Sequence, residues 1–534
     1  MKKRTEKVLG LLMAATMVLG MTGCGSGSGE KEPDEPQVSA SIQEEDVLDE
    51  GASEKESGSD ITWTNDDSVE ITILMSGDAT PNEDNLVLQE LEKQTGTNIN
   101  IIYVNGTDLA TKLNTMIAGG DVPDIFWSGL TDVEDYKKAG MLADMEAVLN
   151  AEAPNVMEET KDIIREMPAN KDGIYMIPNM GRSYSTNINI RTDWLENLGL
   201  DMPTDLESFA EVMHAFTYDD PDQNGVDDTF GYSFSLSTLT AANSCCPNIF
   251  GAFGIAKRRD MVMEDGNVTT WVKHPHFLEA MQYIKRLIDD GVCEPDYVSI
   301  PTMSMFEKFW NGTSGCMEWE CVGPTNNWMP GRYTENPAPE IGFTILEGPY
   351  GDAGTAANYV SSTEGWVVSA DCKNMEGVAR IANYLMTEEG SNLLYLGVEG
   401  VMYNWVDKEA GTIERLGEYA DDAVHRANGG YCYWQLFSPA SNALLRTLNK
   451  QTREGVQLAY DNPIDWAYVE GISEVYAEYG ADMDQIINEM IAELLAADEA
   501  DMQDIYDSYI AEWESVGGSD WETEVTALWN AQNE

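Results

Sequence analysis

Oxygen-bearing groups alternate along one short segment of the chain. The donors are Asp220, Asp222, Asn224 and Asp228, together with the backbone carbonyl of Val226. They match positions 1, 3, 5, 9 and 7 of a twelve-residue EF-hand calcium loop, and Gly225 supplies the sharp turn at position 6. Position 12 is Gly231 instead of the bidentate glutamate, so a true EF-hand is not expected. We predict a structural calcium ion here; a solvated acidic turn is the alternative.

Catalytic arrangements elsewhere in the sequence are weak. Glu318 and Glu320 flank Trp319 and, on a strand, would point the same way about 6.6 Å apart. Glycosidase carboxylates have similar separations, but they approach the sugar from two sides. His274 and His276 have no partner at a metal-ligand spacing, and the sequence contains no Gly-x-Ser-x-Gly elbow or phosphate loop. We therefore expect a protein without enzyme activity.

Aromatic residues indicate the class of ligand. Sugars present apolar C–H faces and polar rims, which proteins bind by stacking Trp or Tyr rings and by hydrogen bonding. The chain has 14 Trp and 23 Tyr. Seven of these stand at predicted loop ends: Trp127, Tyr184, Trp319, Trp328, Trp366, Tyr403 and Trp434. The pattern favours a carbohydrate ligand that contacts a minority of the seven.

The charge balance excludes several kinds of partner. The 534-residue chain has 94 acidic and 31 basic side chains, which gives a formal net charge of −63. Such a field repels phosphate backbones and argues against nucleic-acid binding. Eight cysteines are too few for a disulfide scaffold. Buried thiols are expected, with a Cys316–Cys321 bridge as the alternative.

The N-terminus has the features of an export signal. Four basic residues (Lys2, Lys3, Arg4 and Lys7) precede an apolar stretch from Val8 to Leu19. That stretch is too short to cross a hydrocarbon core of about 30 Å as a helix. The sequence Met21-Thr22-Gly23-Cys24 resembles a bacterial lipobox, in which Cys24 is lipidated. We expect a lipoprotein signal peptide at residues 1–23 and attachment to the outer face of the cell membrane through Cys24.

Two kinds of region follow the lipobox. Residues 24–66 are rich in Gly, Ser and Glu without apolar periodicity, which predicts a disordered acidic tether. Strand and helix patterns then alternate: a strand at Val69–Met75, a helix from Leu86 to about Gly96, and strands at Ile99–Val104 and Asp124–Trp127. This order predicts a βαβ unit and a mostly parallel sheet. An apolar stripe from Met483 to Leu494 predicts a helix packed on the core.

Two longer stretches carry a family resemblance. The first is Ala118-Gly119-Gly120-Asp121-Val122-Pro123-Asp124-Ile125-Phe126-Trp127. The second runs from Arg191-Thr192-Asp193-Trp194-Leu195 through residues 199–204 to residues 220–225. Shorter pieces agree in the same order at residues 312–317, 366–371 and 385–390. Behind a lipobox, these motifs resemble the extracellular solute-binding proteins of family 1, lipoproteins that serve sugar ABC transporters, and within them the LipO-like branch.

The resemblance implies a periplasmic-binding-protein-like type II fold, with two α/β lobes joined by a hinge around a ligand cleft. The first lobe would comprise residues 67–188 and 365–410, and the second residues 189–364 and 411–534. The resemblance also places the loop after the first strand, the Trp127 loop, the crossover near Tyr184 and Trp366 at the cleft. The predicted ligand contacts are Ser76, Gly77, Asp78, Trp127, Tyr184, Trp319, Glu320, Trp328, Trp366 and Tyr403.

The function implied by the resemblance is capture of a carbohydrate, expected to be an oligosaccharide, and its delivery to membrane-embedded permease subunits by a monomer. Related proteins place carboxylates at positions 9 and 10 of the calcium loop, whereas this chain has Asp228 and Thr229. The alternatives are an extracellular glycan-active enzyme, a surface glycan-binding protein, or a binding protein for peptides or a cationic solute. For the last of these, an acidic cleft could form from Asp78, Asp124, Glu318, Glu320 and Glu364.

Overall fold

The computed structural model describes most of the chain beyond residue 62. The described residues are 63–77, 81–180, 186–236, 246–257, 260–263, 266–320, 331–335, 338–356, 363–438, 445–467, 469 and 473–533. They all belong to one compact unit. The predicted signal peptide, Cys24 and nearly all of the predicted tether lie outside the described residues. Within those ranges, no helix has the length and apolar character needed to cross a membrane.

The strands of the described chain are short. They are β1 (Ile71–Gly77), β2 (Ile99–Asn105), β3 (Ile125–Gly129), β4 (Thr186–Arg191), β5 (Phe230–Ser233), β6 (Met261–Val262), β7 (Val268–Thr269), β8 (Ser314–Glu320), β9 (Ile341–Thr344), β10 (Thr355–Ala356), β11 (Glu364–Val368), β12 (Tyr403–Asp407), β13 (Thr412–Arg415) and β14 (Pro463–Ile464). Two four-stranded sheets form the framework, and three two-stranded ribbons pair β6 with β7, β10 with β14 and β12 with β13.

The first sheet has the order β11-β3-β1-β2. Strand β1 runs parallel to both β2 and β3, which confirms the βαβ unit predicted from the sequence. Strand β11 joins the edge antiparallel to β3, with Trp366 opposite Trp127. The carboxyl ends of three parallel strands therefore meet at one edge of this sheet, beside the start of β11.

The second sheet has the order β5-β8-β4-β9 and is not mostly parallel. Strand β4 pairs antiparallel with both β8 and β9, and only β5 and β8 are parallel. The parallel prediction rested on the first βαβ unit, and it does not extend to this sheet.

Helices cover both faces of each sheet. They are α1 (Leu86–Thr95), α2 (Leu109–Gly119), α3 (Leu130–Lys138), α4 (Glu146–Glu152), α5 (Pro154–Glu159), α6 (Thr192–Leu198), α7 (Leu206–Tyr218), α8 (Pro247–Gly251), α9 (Phe277–Asp289), α10 (Thr302–Trp310), α11 (Met375–Leu385), α12 (Glu388–Leu396), α13 (Asp422–Ala427), α14 (Lys450–Asp461), α15 (Glu474–Ala496), α16 (Met502–Trp513) and α17 (Ser519–Asn533). The ends of helix α1 show how local sequence sets helix boundaries. At its start, the side chain of Asn85 accepts a hydrogen bond from the Leu88 amide at 2.9 Å, and the helix ends at Gly96, where φ is 64°.

Each sheet has apolar cores on its two faces. In β1, Ile73 packs into the core with α11, while the neighbouring Leu74 packs on the opposite face with α2 and α3. Both faces are thus buried, as expected for parallel strands with helices on each side. The stripe from Met483 to Leu494 is buried against the second sheet's core, as predicted. Cys316 is a buried free thiol. Cys321, its partner in the alternative bridge, lies outside the described residues.

The chain beyond β13 returns to the first sheet. Tyr433, Leu436, Phe437 and Leu448 pack in the same core as β1 and α11. The predicted lobe limits place these residues in the second lobe, although they pack in the core of the first sheet. The lobe limits themselves remain a prediction.

An ion-pair cluster around one buried arginine anchors the second sheet to α6. The Arg191 side chain is 1% exposed and donates two hydrogen bonds to the carboxylate of Asp193, at 2.8 and 2.6 Å, and two to Glu335, at 2.8 and 2.9 Å. Its guanidinium carbon lies 5.0 Å from the ring centroid of Trp194. One arginine thus satisfies two carboxylates at the end of β4.

Replacing this arginine should destabilise the fold. We expect Arg191→Met to lower the free energy of unfolding by about 2–4 kcal/mol, because two carboxylates lose a buried partner. Lys138→Met is the matched control: Lys138 and Asp135 are both 72% exposed, and such pairs contribute less than about 1 kcal/mol. Urea denaturation of the two variants measures the difference. Equal stabilities would contradict a structural role for Arg191.

Candidate ligand-binding site

Trp127 lies on β3, next to the edge where the three parallel strands end. Its ring is half-buried and meets the ring of Trp366 edge to face, with centroids 5.5 Å apart and planes at 81°. Open α/β sheets bind ligands beyond the carboxyl ends of their strands. Trp127 therefore combines the position and the partial exposure that a stacking surface needs.

Glu364 is next to Trp127 on the same face of the sheet. It stands opposite Gly129 in the β3–β11 register, which places it diagonally across from Trp127. Partial burial raises the pKa of Glu364, and the interaction with the Trp127 side chain acts in the opposite direction. The pair joins an aromatic surface to a hydrogen-bonding carboxyl group.

Ser76 and Gly77 end strand β1 beside β2. A Cβ atom at Gly77 would lie 1.7 Å from the hydroxyl oxygen at the far end of the Tyr103 side chain, so a larger residue here would require that ring to move. Gly77 itself offers only backbone groups for polar contacts at the strand end. The predicted contacts Asp78, Tyr184 and Trp328 lie outside the described residues.

Trp366 and Tyr403 occupy the core of the first sheet, with exposures of 2% and 1%. The indole N–H of Trp366 donates to the carbonyl of Gln435 at 3.0 Å, and its ring packs on Phe437 at 5.7 Å. In this conformation neither ring offers a face to a ligand, so the structure does not support direct contact by these two residues. Strand β11 is buried on both faces beyond Glu364 and therefore shows no alternation of apolar and polar residues, whereas on β12 only Tyr403 is buried.

Trp319 and Glu320 are separated from these residues, on β8 of the second sheet. The Trp319 ring is half-buried and contacts Phe306 edge to face at 4.8 Å. Its backbone carbonyl accepts a hydrogen bond from the Asn189 side chain at 2.9 Å. The structure therefore brings Ser76, Gly77 and Trp127 to the first sheet's edge and leaves Trp319 and Glu320 on the other sheet.

Glu318 is a scaffold residue. Its carboxylate is buried and accepts hydrogen bonds from the Tyr232 hydroxyl at 2.9 Å and the Asn248 amide at 2.7 Å. Burial raises the pKa of Glu318 to about 7, and the hydrogen bonds and Lys257 only partly offset this effect. This carboxylate is sealed in the second core, so it does not belong to an acidic cleft, and it does not form an exposed catalytic pair with Glu320.

In the acidic loop from Asp220 to Asp228, the carboxylates accept hydrogen bonds from N–H groups of the same loop. The side-chain amide of Asn224 donates to Asp222 at 2.8 Å and to Asp228 at 3.2 Å, while the Gly225 amide donates to Asp220 at 3.1 Å. Burial and the carboxylates of Asp220 and Asp228 raise the pKa of Asp222. Among the described residues, no three His, Cys, Asp or Glu side chains converge on a metal-sized site. The donor set suits calcium, but its present arrangement does not confirm the prediction.

The end of the loop departs from an EF-hand for steric reasons. At position 12, a Cβ on Gly231 would lie 2.4 Å from the backbone carbonyl oxygen of Met213, so no glutamate fits. At position 10, Thr229 is buried and donates to the carbonyl of Phe216 at 2.9 Å. Both residues tie the loop to α7 instead of supplying further oxygen ligands.

The sequence analysis included Trp434 among the aromatic candidates but did not identify Tyr431, which lies beside it in the structure. The two rings are nearly parallel, at 11°, with centroids 6.1 Å apart. The signal in the sequence was an aromatic run directly after Gly429-Gly430.

A sequence model of the bacterial extracellular solute-binding proteins matches residues 87–401, more than half of the chain. The chain belongs to this family. The match confirms the resemblance seen in the motifs.

Three curated relatives agree with this assignment. The fructooligosaccharide ABC transporter substrate-binding protein FusA of Streptococcus pneumoniae is 27% identical over 64% of this chain and 61% of its own length. Lipoprotein LipO of Bacillus subtilis is 25% identical over 79% of this chain and 84% of its own. The polygalacturonan/rhamnogalacturonan-binding protein YtcQ of B. subtilis is 26% identical over 59% and 63%. The chain thus spans about three fifths of the length of FusA and YtcQ, and none of the three names is that of an enzyme.

The solved structure of FusA in complex with kestose has a similar fold. It has a TM-score of 0.63 and 20% identity, and the match covers 87% of this chain and 99% of that one. A FusA EF-hand mutant, solved with fructo-nystose, matches equally well. At this identity the likeness shows the fold alone: the two-lobe α/β architecture of solute-binding proteins, as predicted.

The buried Glu318 should make stability depend on pH. Its folded-state pKa, about 7, lies above its ordinary value of 4.5. Ionisation of Glu318 therefore does not affect the free energy of unfolding below about pH 4.5. As the pH rises from 4.5 to 7, it lowers the free energy of unfolding by about 3 kcal/mol in total. Glu318→Gln removes this titration, so the variant should gain stability relative to the wild type between pH 4.5 and 8. Urea denaturation at several pH values measures the difference in the free energy of unfolding between the variant and the wild type. A difference that does not change with pH would contradict a raised pKa of Glu318.

Proposed function

We propose that this protein is a lipid-anchored, monomeric receptor that captures an oligosaccharide and delivers it to the permease of an ABC transporter. Family membership and the names of FusA and YtcQ support a carbohydrate ligand. The lipobox at Cys24 and the relative LipO support the anchor. One observation carries the choice of site: Trp127 is only partly buried near the strand ends, and the ring of Trp366, opposite it on β11, packs against it edge to face.

The binding cycle requires no bond chemistry. A sugar stacked on Trp127 would present its hydroxyl groups to Glu364 and to the backbone at the end of β1. If the other lobe also contacts the sugar, the closed form gains contacts that the open form lacks, and ligand shifts the equilibrium toward closure. The closed complex is then what a permease recognises.

A thermal-shift screen tests the proposal. The panel contains kestose, maltotriose, xylotriose, trigalacturonic acid and a set of oligopeptides. A ligand that binds only the folded protein raises its melting temperature, by an amount that grows with ligand concentration. We expect at least one trisaccharide and no peptide to do so. A response confined to peptides would support the alternative of a peptide receptor, and chromatographic detection of a cleaved sugar would support an enzyme.

Trp127 should contribute mainly to binding. Trp127→Ala is expected to weaken the affinity for a trisaccharide from that panel by about 2 kcal/mol, because the stacking face is lost. The loss of stability should be smaller than for a fully buried ring. Isothermal calorimetry and thermal melting measure the two effects.

Trp366→Ala is the matched control for a core aromatic. It should cost about 3–5 kcal/mol of stability, since this ring is buried and hydrogen-bonded. A Trp127→Ala protein that melts as low as Trp366→Ala yet binds sugar normally would show that Trp127 is a core residue and that the ligand binds elsewhere.

We also propose a structural calcium ion in the loop from Asp220 to Asp228. Asp220, Asp222, Asp228, the side-chain carbonyl of Asn224 and the backbone carbonyl of Val226 would supply the oxygen atoms. Burial raises the pKa of Asp222, and the carboxylates of Asp220 and Asp228 add to this effect; a cation would relieve the part that comes from their repulsion, which supports the proposal. The ion would hold the loop after α7 and would take no part in sugar binding.

Chelation should lower the melting temperature and leave sugar affinity unchanged. At a calcium concentration about a hundred times its Kd, removing the ion costs about 3 kcal/mol of stability. Asp222→Asn should abolish the effect of chelator. Asp227→Asn should not, because Asp227 is exposed and falls between the predicted ligand positions. Identical melting curves of the wild type with and without excess chelator would exclude the ion.

A further inference from the structure

A second aromatic surface lies close to Trp127. Three rings follow one another from the core outward. Tyr395 is buried, and Tyr431 packs against it with centroids 5.8 Å apart. Trp434 lies nearly parallel to Tyr431, at 11° and 6.1 Å. The Trp434 ring thus stacks on Tyr431, which in turn packs on the buried Tyr395.

The backbone that carries Trp434 is fixed at several points. The Tyr395 hydroxyl donates to the carbonyl of Trp434 at 3.2 Å, and the Met180 amide donates to the carbonyl of Ser438 at 3.0 Å. Between these points, the carbonyl of Gln435 accepts the indole N–H of Trp366. Because the same Trp366 ring supports Trp127, one buried side chain positions both aromatic surfaces.

The turn holds Trp434 at a cost in backbone strain. Tyr431 and Phe437 have φ angles of 58° and 44°, in the left-handed region that residues with side chains avoid. Strain of this kind concentrates at ligand sites, where the surrounding structure enforces it. Here the strained residues flank the exposed ring on both sides.

Trp434 is exposed in a way that packing does not explain. It has 36% of its surface accessible, and it is the one tryptophan among the large exposed apolar residues of the described ranges. A single exposed apolar residue is ordinary. An indole that is anchored through its backbone, stacked on one face and accessible to solvent is instead built like a platform for a flat ligand.

We propose that Tyr431 and Trp434 form a second stacking subsite for a sugar ring, so that the ligand spans from Trp127 to Trp434. This inference rests on the proposed function and narrows the ligand to a saccharide of several units. Trp127 and Trp434 would grip different rings of one chain, and the shared Trp366 would keep the two surfaces in a fixed relation.

The test is calorimetry of the full chain with kestose, maltotriose, xylotriose and trigalacturonic acid. Trp434→Leu keeps apolar bulk but removes the flat face, and it should weaken binding of the recognised trisaccharide at least about ten-fold. Trp434→Phe should restore most of the affinity. Tyr479→Ala, at a ring of similar exposure (37%) on α15, should change nothing. Melting temperatures close to that of the wild type confirm that the variants fold.

The outcomes separate the two proposals. If a trisaccharide binds the wild type and Trp434→Leu equally well, the second subsite is wrong while the carbohydrate function stands. If none of the four trisaccharides binds the wild type, the proposed function fails and the subsite fails with it. Loss of affinity in Trp434→Leu that Trp434→Phe does not restore would also overturn the stacking role.

Discussion

The pairing of β11 with β3 is the contact on which the candidate site depends. The chain completes the second sheet before β11 returns to the edge of the first one. This pairing sets Trp366 opposite Trp127 and Glu364 beside it. A buried indole N–H needs an acceptor, and the carbonyl of Gln435 provides it. Thus one strand placement fixes an aromatic surface on β3 and contributes one of the hydrogen bonds that hold a turn far along the chain.

The two sheets use their polar groups for different purposes. In the second sheet, Arg191 and Glu318 are enclosed among fixed partners and stabilise or strain the scaffold. At the first sheet's edge, Glu364 remains accessible beside an aromatic ring. In the described part of this edge, a flat apolar surface stands beside one carboxyl group, which is the combination on which the proposed sugar site rests.

Sequence patterns gave good guidance where the determining forces are local. The strand, helix and strand up to Trp127 follow from periodicity and from the stop at Gly96, and the spacing of the acidic loop is likewise local. The burial of Trp366 could not be predicted, because β11 is enclosed on both faces and shows no alternation. The closed position at Gly231 depends on the backbone of Met213, and the return of Tyr433 to the first core is a long-range contact. These features arise only when distant segments pack together.

The reaction rates of the buried thiols report how often the apolar cores open. Cys372 lies in the first core and Cys316 in the second, and burial raises the pKa of both, that of Cys372 to about 12. Only an exposed thiolate reacts quickly with alkylating reagents. Each sulfur therefore stays inert until its own core opens, and its modification rate records how often that happens. Because Cys372 and Cys316 lie in different cores, alkylation mapped to each of these two residues would report the opening of the two cores separately.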